Sequence, residues 1–119
     1  MFTPEKVRQF ADDWIAAWNA HNLEAILSHY ADTVTLTSPV VASLLNDASG
    51  TVAGKQALRS YFQRGLEAFP HLKFTLHDAL AGLNTIVLYY TNHRGTKTAE
   101  LMEFDATGKV FRVIANYTV

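Results

Sequence analysis

Before Pro39 the hydrophobic period of this chain changes once, and that change restricts the fold more than any other feature. Val7, Phe10, Ala11, Trp14, Ile15 and Trp18 recur at the three- and four-residue spacing of a single buried helical stripe. Thr3 is the expected N-cap of this helix and Pro4 its first residue, where a missing N–H costs nothing. The helix is expected to stop near residues 19–21, and Asn22 to cap a second, short helix containing Leu23, Ala25, Ile26 and Leu27. From Tyr30 the apolar residues alternate instead. Val34, Leu36 and Ser38 share one face of a strand, and Thr33, Thr35 and Thr37 share the other. Two helices leading into a half-buried strand, with large aromatics on the inner side, describe the wall of a cone-shaped pocket.

The rest of the chain supplies the sheet that such a wall needs. Residues 40–51 read as a surface flap, with one helical turn over residues 42–46 and a loop at Asp47-Ala48-Ser49-Gly50. Gly54-Lys55-Gln56 opens a third helix with Leu58, Tyr61, Phe62, Leu66 and Phe69 on one side, stopped by Pro70. Residues 72–83, 85–93, 96–105 and 109–118 are strand-like, and the turns between them are short. The expected architecture is α+β, a single domain over residues 1–119 with three helices packed on one face of a curved, mostly antiparallel sheet.

Composition removes several function classes. With 119 residues, 49% of them hydrophobic, the chain has enough apolar surface for one core. A net charge of −1 and the lack of any Lys or Arg block argue against nucleic acid as a partner. There is no cysteine to act as thiolate nucleophile or to complete a zinc site. The histidines, at positions 21, 29, 71, 77 and 93, show no i, i+4 pair, so no metal is expected; His77 and His93 are kept as minor acid-base candidates. The six glycines form no phosphate cradle, and no cofactor is expected. The N-terminal stretch carries Asp12 and Asp13 and reads neither as a signal peptide nor as a membrane span, which leads to the expectation of a cytoplasmic protein without membrane contact.

The helix-helix-strand opening, the Gly54-Lys55 start of the third helix and a last strand introduced by Gly108-Lys109-Val110 together resemble the nuclear transport factor 2 superfamily over nearly the whole chain. Trp18-Asn19-Ala20, Leu23-Glu24-Ala25-Ile26 and Tyr30-Ala31-Asp32, with the strand ending at Pro39, are most similar to its ketosteroid isomerases and SnoaL-like, polyketide-cyclase-like members. The resemblance implies a cone-shaped α+β barrel of the cystatin-like type, commonly a homodimer through the outer sheet face. It also implies three catalytic positions. Where the similar isomerases carry an aspartate base before the strand-ending proline, this chain has Ser38; where they carry a tyrosine donor on the first helix, it has Trp14. Their second donor is a carboxylic acid kept protonated by an apolar site, and that position falls on Glu100.

Alternation groups Glu100 with Thr98, Met102 and Phe104, so in a concave sheet it shares a face with two large apolar residues. An apolar wall would raise its pKa and make it a general acid, a base or a hydrogen-bond donor. The other phase, with Leu101 inward and Glu100 in water, stays open. Tyr30 could present its hydroxyl at the cavity mouth, and Ser38 either contacts ligand or bonds locally. On the strand over 85–93, Val87, Tyr89, Thr91 and His93 are expected to face inward, and in the last strand Phe111, Val113, Ala115 and Tyr117 form the apolar set.

Three functional readings follow. In the first, a proton-transfer isomerase, cyclase or dehydratase acts through Glu100, aided by Trp14 or Tyr30, without the usual base at Ser38. In the second, a non-catalytic protein holds a small apolar molecule between Trp14, Trp18, Phe62, Tyr89 and Met102. In the third, a homodimeric interaction module uses outward Leu88, Tyr90, Leu101 and Ile114.

Overall fold

A computed structural model describes residues 2–119. Helix α1 (Pro4–Asn19) starts at Thr3, whose hydroxyl accepts from the Lys6 amide at 3.2 Å, and buries Ala11, Trp14, Ala17 and Trp18. Asn22 caps α2 (Leu23–Leu27) by accepting from the Ala25 amide at 3.1 Å. Strand β1 (Tyr30–Thr37) then puts Val34 and Leu36 in the core and leaves Thr33 and Thr37 exposed. These elements and their phases are those the sequence predicts.

The segment after β1 differs from the expected flap. It forms helix α3 (Pro39–Leu45), the short strand β2 (Thr51–Ala53) and then helix α4 (Lys55–Ala68), so the protein has four helices rather than three among the described residues. The cause is local and visible in retrospect. Ser38 accepts from the Val40 amide at 3.1 Å and Pro39 takes the first helical position, repeating the Thr3-Pro4 arrangement of α1. Read as the proline that ends a strand, Pro39 conceals the helix it begins. Asn46 closes α3 in the left-handed region, and Gly50 returns the chain to the sheet at φ 60°, where a Cβ would lie 2.9 Å from the Ser38 carbonyl oxygen.

Strands β3 (Thr75–Ala81), β4 (Thr85–Thr91), β5 (Lys97–Phe104) and β6 (Val110–Tyr117) complete one six-stranded sheet in the order β2-β1-β6-β5-β4-β3. Every pair is antiparallel except β1 with β6. That parallel pair brings the N-terminal strand beside the C-terminal one and bends the sheet around α1 and α4. No helix among the described residues is long and apolar enough to cross a membrane.

Strand β4 corrects the predicted phase. Ile86, Leu88, Tyr90 and Asn92 are buried, whereas Tyr89 is 38% exposed and lies beside the His77 ring. Both faces of this strand are rich in apolar residues, and the polar Asn92 made the buried set look like the outer one. Its amide is in fact satisfied internally: Nδ2 donates to the Thr96 and Thr98 hydroxyls at 3.0 and 2.9 Å, and Oδ1 accepts from the Arg94 amide at 3.0 Å. Leu88 and Tyr90 therefore drop out of the outer face expected for a homodimer, on which Leu101 and Ile114 lie paired across β5 and β6.

A side-chain amide fastens α1 to the sheet. Asn19 Nδ2 donates to the Phe74 carbonyl at 3.0 Å, and its Oδ1 accepts from the Phe74 amide at 2.8 Å. Two residues on, past the end of α1, the His21 ring bonds the Leu72 carbonyl at 2.8 Å. The segment before β3 thus satisfies its backbone groups on α1 rather than on a neighbouring strand. At about 1 kcal/mol per net hydrogen bond, Asn19→Ala is expected to lower stability by about 2 kcal/mol in urea denaturation. A loss below about 0.5 kcal/mol would show that packing alone holds this junction.

Candidate functional site

Between the concave sheet face and the helices lies a cavity of about 690 Å³. Trp14 and Trp18 of α1 form one side and Tyr61, Phe62 and Phe69 from α4 and its C-cap another, while Val40 and Leu44 of α3 lie across the top. The sheet contributes Leu36, Tyr90, Glu100, Ala115 and Tyr117. Helix α3, of which the sequence showed a single turn in a surface flap, is thus part of the wall.

Glu100 reaches this space because β5 alternates strictly. Thr98, Glu100, Met102 and Phe104 are buried and the residues between them are only half-buried. Across the sheet it is flanked by Leu88 and Ala115, so its neighbours offer no cation. The Tyr90 hydroxyl donates to Oε1 at 2.6 Å, and Oε2 has no hydrogen-bond partner among the described residues. Burial disfavours the charged form and pushes the pKa up to about 7, against the opposing pull of the Tyr90 hydrogen bond. Burial first, and then the Glu100 charge, preceded in Tyr61 by that of Tyr117, raise the pKa values of Tyr30, Tyr61, Tyr90 and Tyr117, and all four stay protonated at neutral pH.

The remaining predicted site residues divide. Trp14, Trp18 and Phe62 line the cavity, as does Glu100. Trp14 presents its ring there but not its N–H, which donates to the buried Tyr30 hydroxyl at 2.9 Å. Tyr30 therefore serves as the acceptor for an indole and does not line the cavity. Ser38 is 2% exposed and caps α3, outside the cavity lining. Met102 is wholly buried in the core, and Tyr89 points to the opposite side of the sheet. Neither lines this cavity, Met102 because it is packed within the core and Tyr89 because the strand phase is the reverse of that expected.

One donor went unrecognised in the sequence. The Trp18 ring lines the cavity, whereas its Nε1 is buried and has no hydrogen-bond partner among the described residues, an arrangement that ordinarily costs about 1–3 kcal/mol. Its place one helical turn after Trp14 was the only signal, and periodicity cannot tell which indole N–H has an internal acceptor. At the mouth, the His93 ring packs on Phe69 with centroids 4.2 Å apart. Burial and the neighbouring Arg94 charge lower its pKa, which keeps the imidazole neutral at pH 7. Among the described residues no group of three His, Cys, Asp or Glu side chains is placed to hold a metal.

Comparison with known proteins follows this geometry. The SnoaL-like domain family matches residues 11–119. A SnoaL-like protein of unknown function from Burkholderia thailandensis is 34% identical over 98% of both chains, with a TM-score of 0.96. A protein of unknown function with a cystatin-like fold from Methylobium petroleophilum is 13% identical over 99% of this chain and 79% of its own, at TM-score 0.79. A candidate ketosteroid isomerase from Kribbella flavida is 18% identical over 97% of this chain and 79% of its own, at TM-score 0.76. The last two share the fold alone. No curated protein matches the sequence significantly. On the match to nearly its whole length, and with the cone-shaped α+β barrel in place, the chain belongs to the SnoaL-like domain family.

Proposed function

We propose that the cone cavity takes a small, largely apolar molecule bearing a carbonyl and that Glu100 exchanges a proton with it, as an isomerase of this fold would. One observation carries the reading: the only carboxyl group lining the cavity is buried, titrates near neutral pH and leaves one oxygen unpartnered. A group with a pKa near the working pH serves as both acceptor and donor of a proton. As carboxylate, Glu100 would remove a proton from carbon next to the carbonyl; the C–H pair moves into the carbon-carbon bond and the carbonyl π pair onto oxygen, giving an enolate. Return of the same proton to a conjugated carbon completes an isomerisation without a second base. The Tyr61 hydroxyl, which lines the cavity near enough to feel the Glu100 charge and has no hydrogen-bond partner among the described residues, is a donor available to the enolate oxygen. The Kribbella flavida protein, a candidate ketosteroid isomerase, supports the class of chemistry.

Ser38 favours a second reading. The position that resembles the isomerase base is occupied by a helix cap outside the cavity lining, and in this reading the cavity holds its ligand through Glu100 and Tyr61 with no turnover.

Solvent-deuterium exchange into a panel of aryl and cyclic ketones, followed by NMR, separates the two. Catalysis predicts exchange that rises with pH to a plateau, with a midpoint about 7, and that falls by 10²–10⁴-fold in Glu100→Gln. Ketones that quench tryptophan fluorescence without exchanging would select the binding reading, and undiminished exchange in Glu100→Gln would overturn Glu100 as the acid-base group.

The same carboxyl predicts a stability profile. Its folded pKa of about 7 exceeds the ordinary 4.5, so the fold holds the proton more tightly than the unfolded chain does. Stability from this group is whole below about 4.5, declines as pH rises towards 7 and is lost above it. The decline is on the order of 3 kcal/mol. Denaturation midpoints of the native protein relative to Glu100→Gln, whose amide still accepts from Tyr90, should diverge over that window; parallel curves would show Glu100 to be solvated.

A further inference from the structure

The charge at the cavity mouth is one-sided. Arg64 of α4 and Arg94 of the turn between β4 and β5 both line the cavity, and both are exposed. Neither forms an ion pair among the described residues, whereas Arg59 and Arg112 are paired with Glu24 and Glu103. Apart from Glu100, deeper on the sheet, no acidic residue lines the cavity, and His93 between them is uncharged. The two guanidiniums are also held from different elements. Arg94 sits on a turn whose backbone is fixed by the buried Asn92 amide, which accepts from the Arg94 and Thr96 amides at 3.0 and 3.3 Å. Arg64 follows Tyr61 by three residues on α4, so both lie on the face turned to the cavity.

Inside, the unpartnered polar groups are of another kind. The Tyr61 hydroxyl has no hydrogen-bond partner among the described residues and can donate, and Glu100 offers one free oxygen. A molecule that satisfies both regions needs an uncharged oxygen acceptor deep in an apolar body and an anionic group near the entrance. We infer that the ligand is an apolar keto acid, its carbonyl inside against Tyr61 and its carboxylate at the mouth between Arg64 and Arg94. This rests on the reading that the cone cavity is the ligand site. Arginine suits the outer role because its planar fork takes a carboxylate through two parallel hydrogen bonds and stays charged at any working pH.

The test titrates the protein with a matched series of aryl-ketone carboxylates of increasing chain length, benzoylpropionate among them, and with their primary amides. Binding is read from the fluorescence of Trp14 and Trp18 and confirmed by calorimetry. For at least one chain length the acid should bind about tenfold more tightly than its amide at low salt, and the difference should shrink as salt is added. Arg64→Gln and Arg94→Gln should each weaken the acid about threefold to fivefold and leave the amide unchanged. Equal affinity of acid and amide across the series, or acid binding unaffected by both substitutions, would overturn the keto-acid assignment while leaving the cavity as the ligand site. If neither acids nor amides bind at any length, the cavity reading falls and this inference falls with it. Circular dichroism and the urea midpoint of each variant distinguish lost contact from lost fold, and Arg→Lys at either position should recover part of the acid preference.

Discussion

Two indoles one helical turn apart set the width of the cone. Trp14 and Trp18 are buried on the inner face of α1, and Phe62, Phe74 and Tyr90 are arranged against them. Phe74 stacks on Trp14 with ring planes 16° apart, Tyr90 approaches the same ring at 5.4 Å, and Phe62 meets Trp18 edge-on at 4.8 Å. Side chains of this size hold the helix away from the sheet, and the curved strands cannot close the remaining space with the residues they have. The parallel pairing of β1 with β6 and the Asn19 tie to Phe74 keep the helix in that position.

Within the space so made, polar groups fall into those satisfied by the protein and those left for something else. The Trp14 N–H ends on Tyr30, Asn92 ends on its own turn, and Ser38 ends on the start of α3. What remains includes the Trp18 N–H, the Tyr61 hydroxyl, one oxygen of Glu100 and two arginines at the rim. A buried donor without an acceptor and a carboxyl moved towards neutrality by its surroundings both weaken the fold, and such losses are found where a ligand restores the missing partners. In this protein the same few residues that lower stability define the chemistry the cavity can perform.

Of the three catalytic positions that the resemblance to ketosteroid isomerases implies, Glu100 is buried, Ser38 caps a helix and the Trp14 N–H is already bonded to Tyr30. Proton transfer by this chain would therefore run through a single carboxyl group.

The sequence by itself determined α1, α2, β1 and their inward faces, because caps and period are local properties: Thr3-Pro4, Asn22 and the alternation of Val34 with Leu36 each act within a few residues. It also grouped Glu100 with Thr98, Met102 and Phe104, since β5 alternates without a break, while tertiary structure decided that this face is the inner one. The phase of β4 was decided by tertiary structure, for with apolar residues on both sides only the position of the strand in the middle of the sheet selects Tyr90 over Tyr89. Tertiary contacts likewise chose which indole keeps a free N–H. Trp14 meets Tyr30 from sixteen residues away and Trp18 meets no acceptor, a difference in through-space distance that no spacing along the chain encodes.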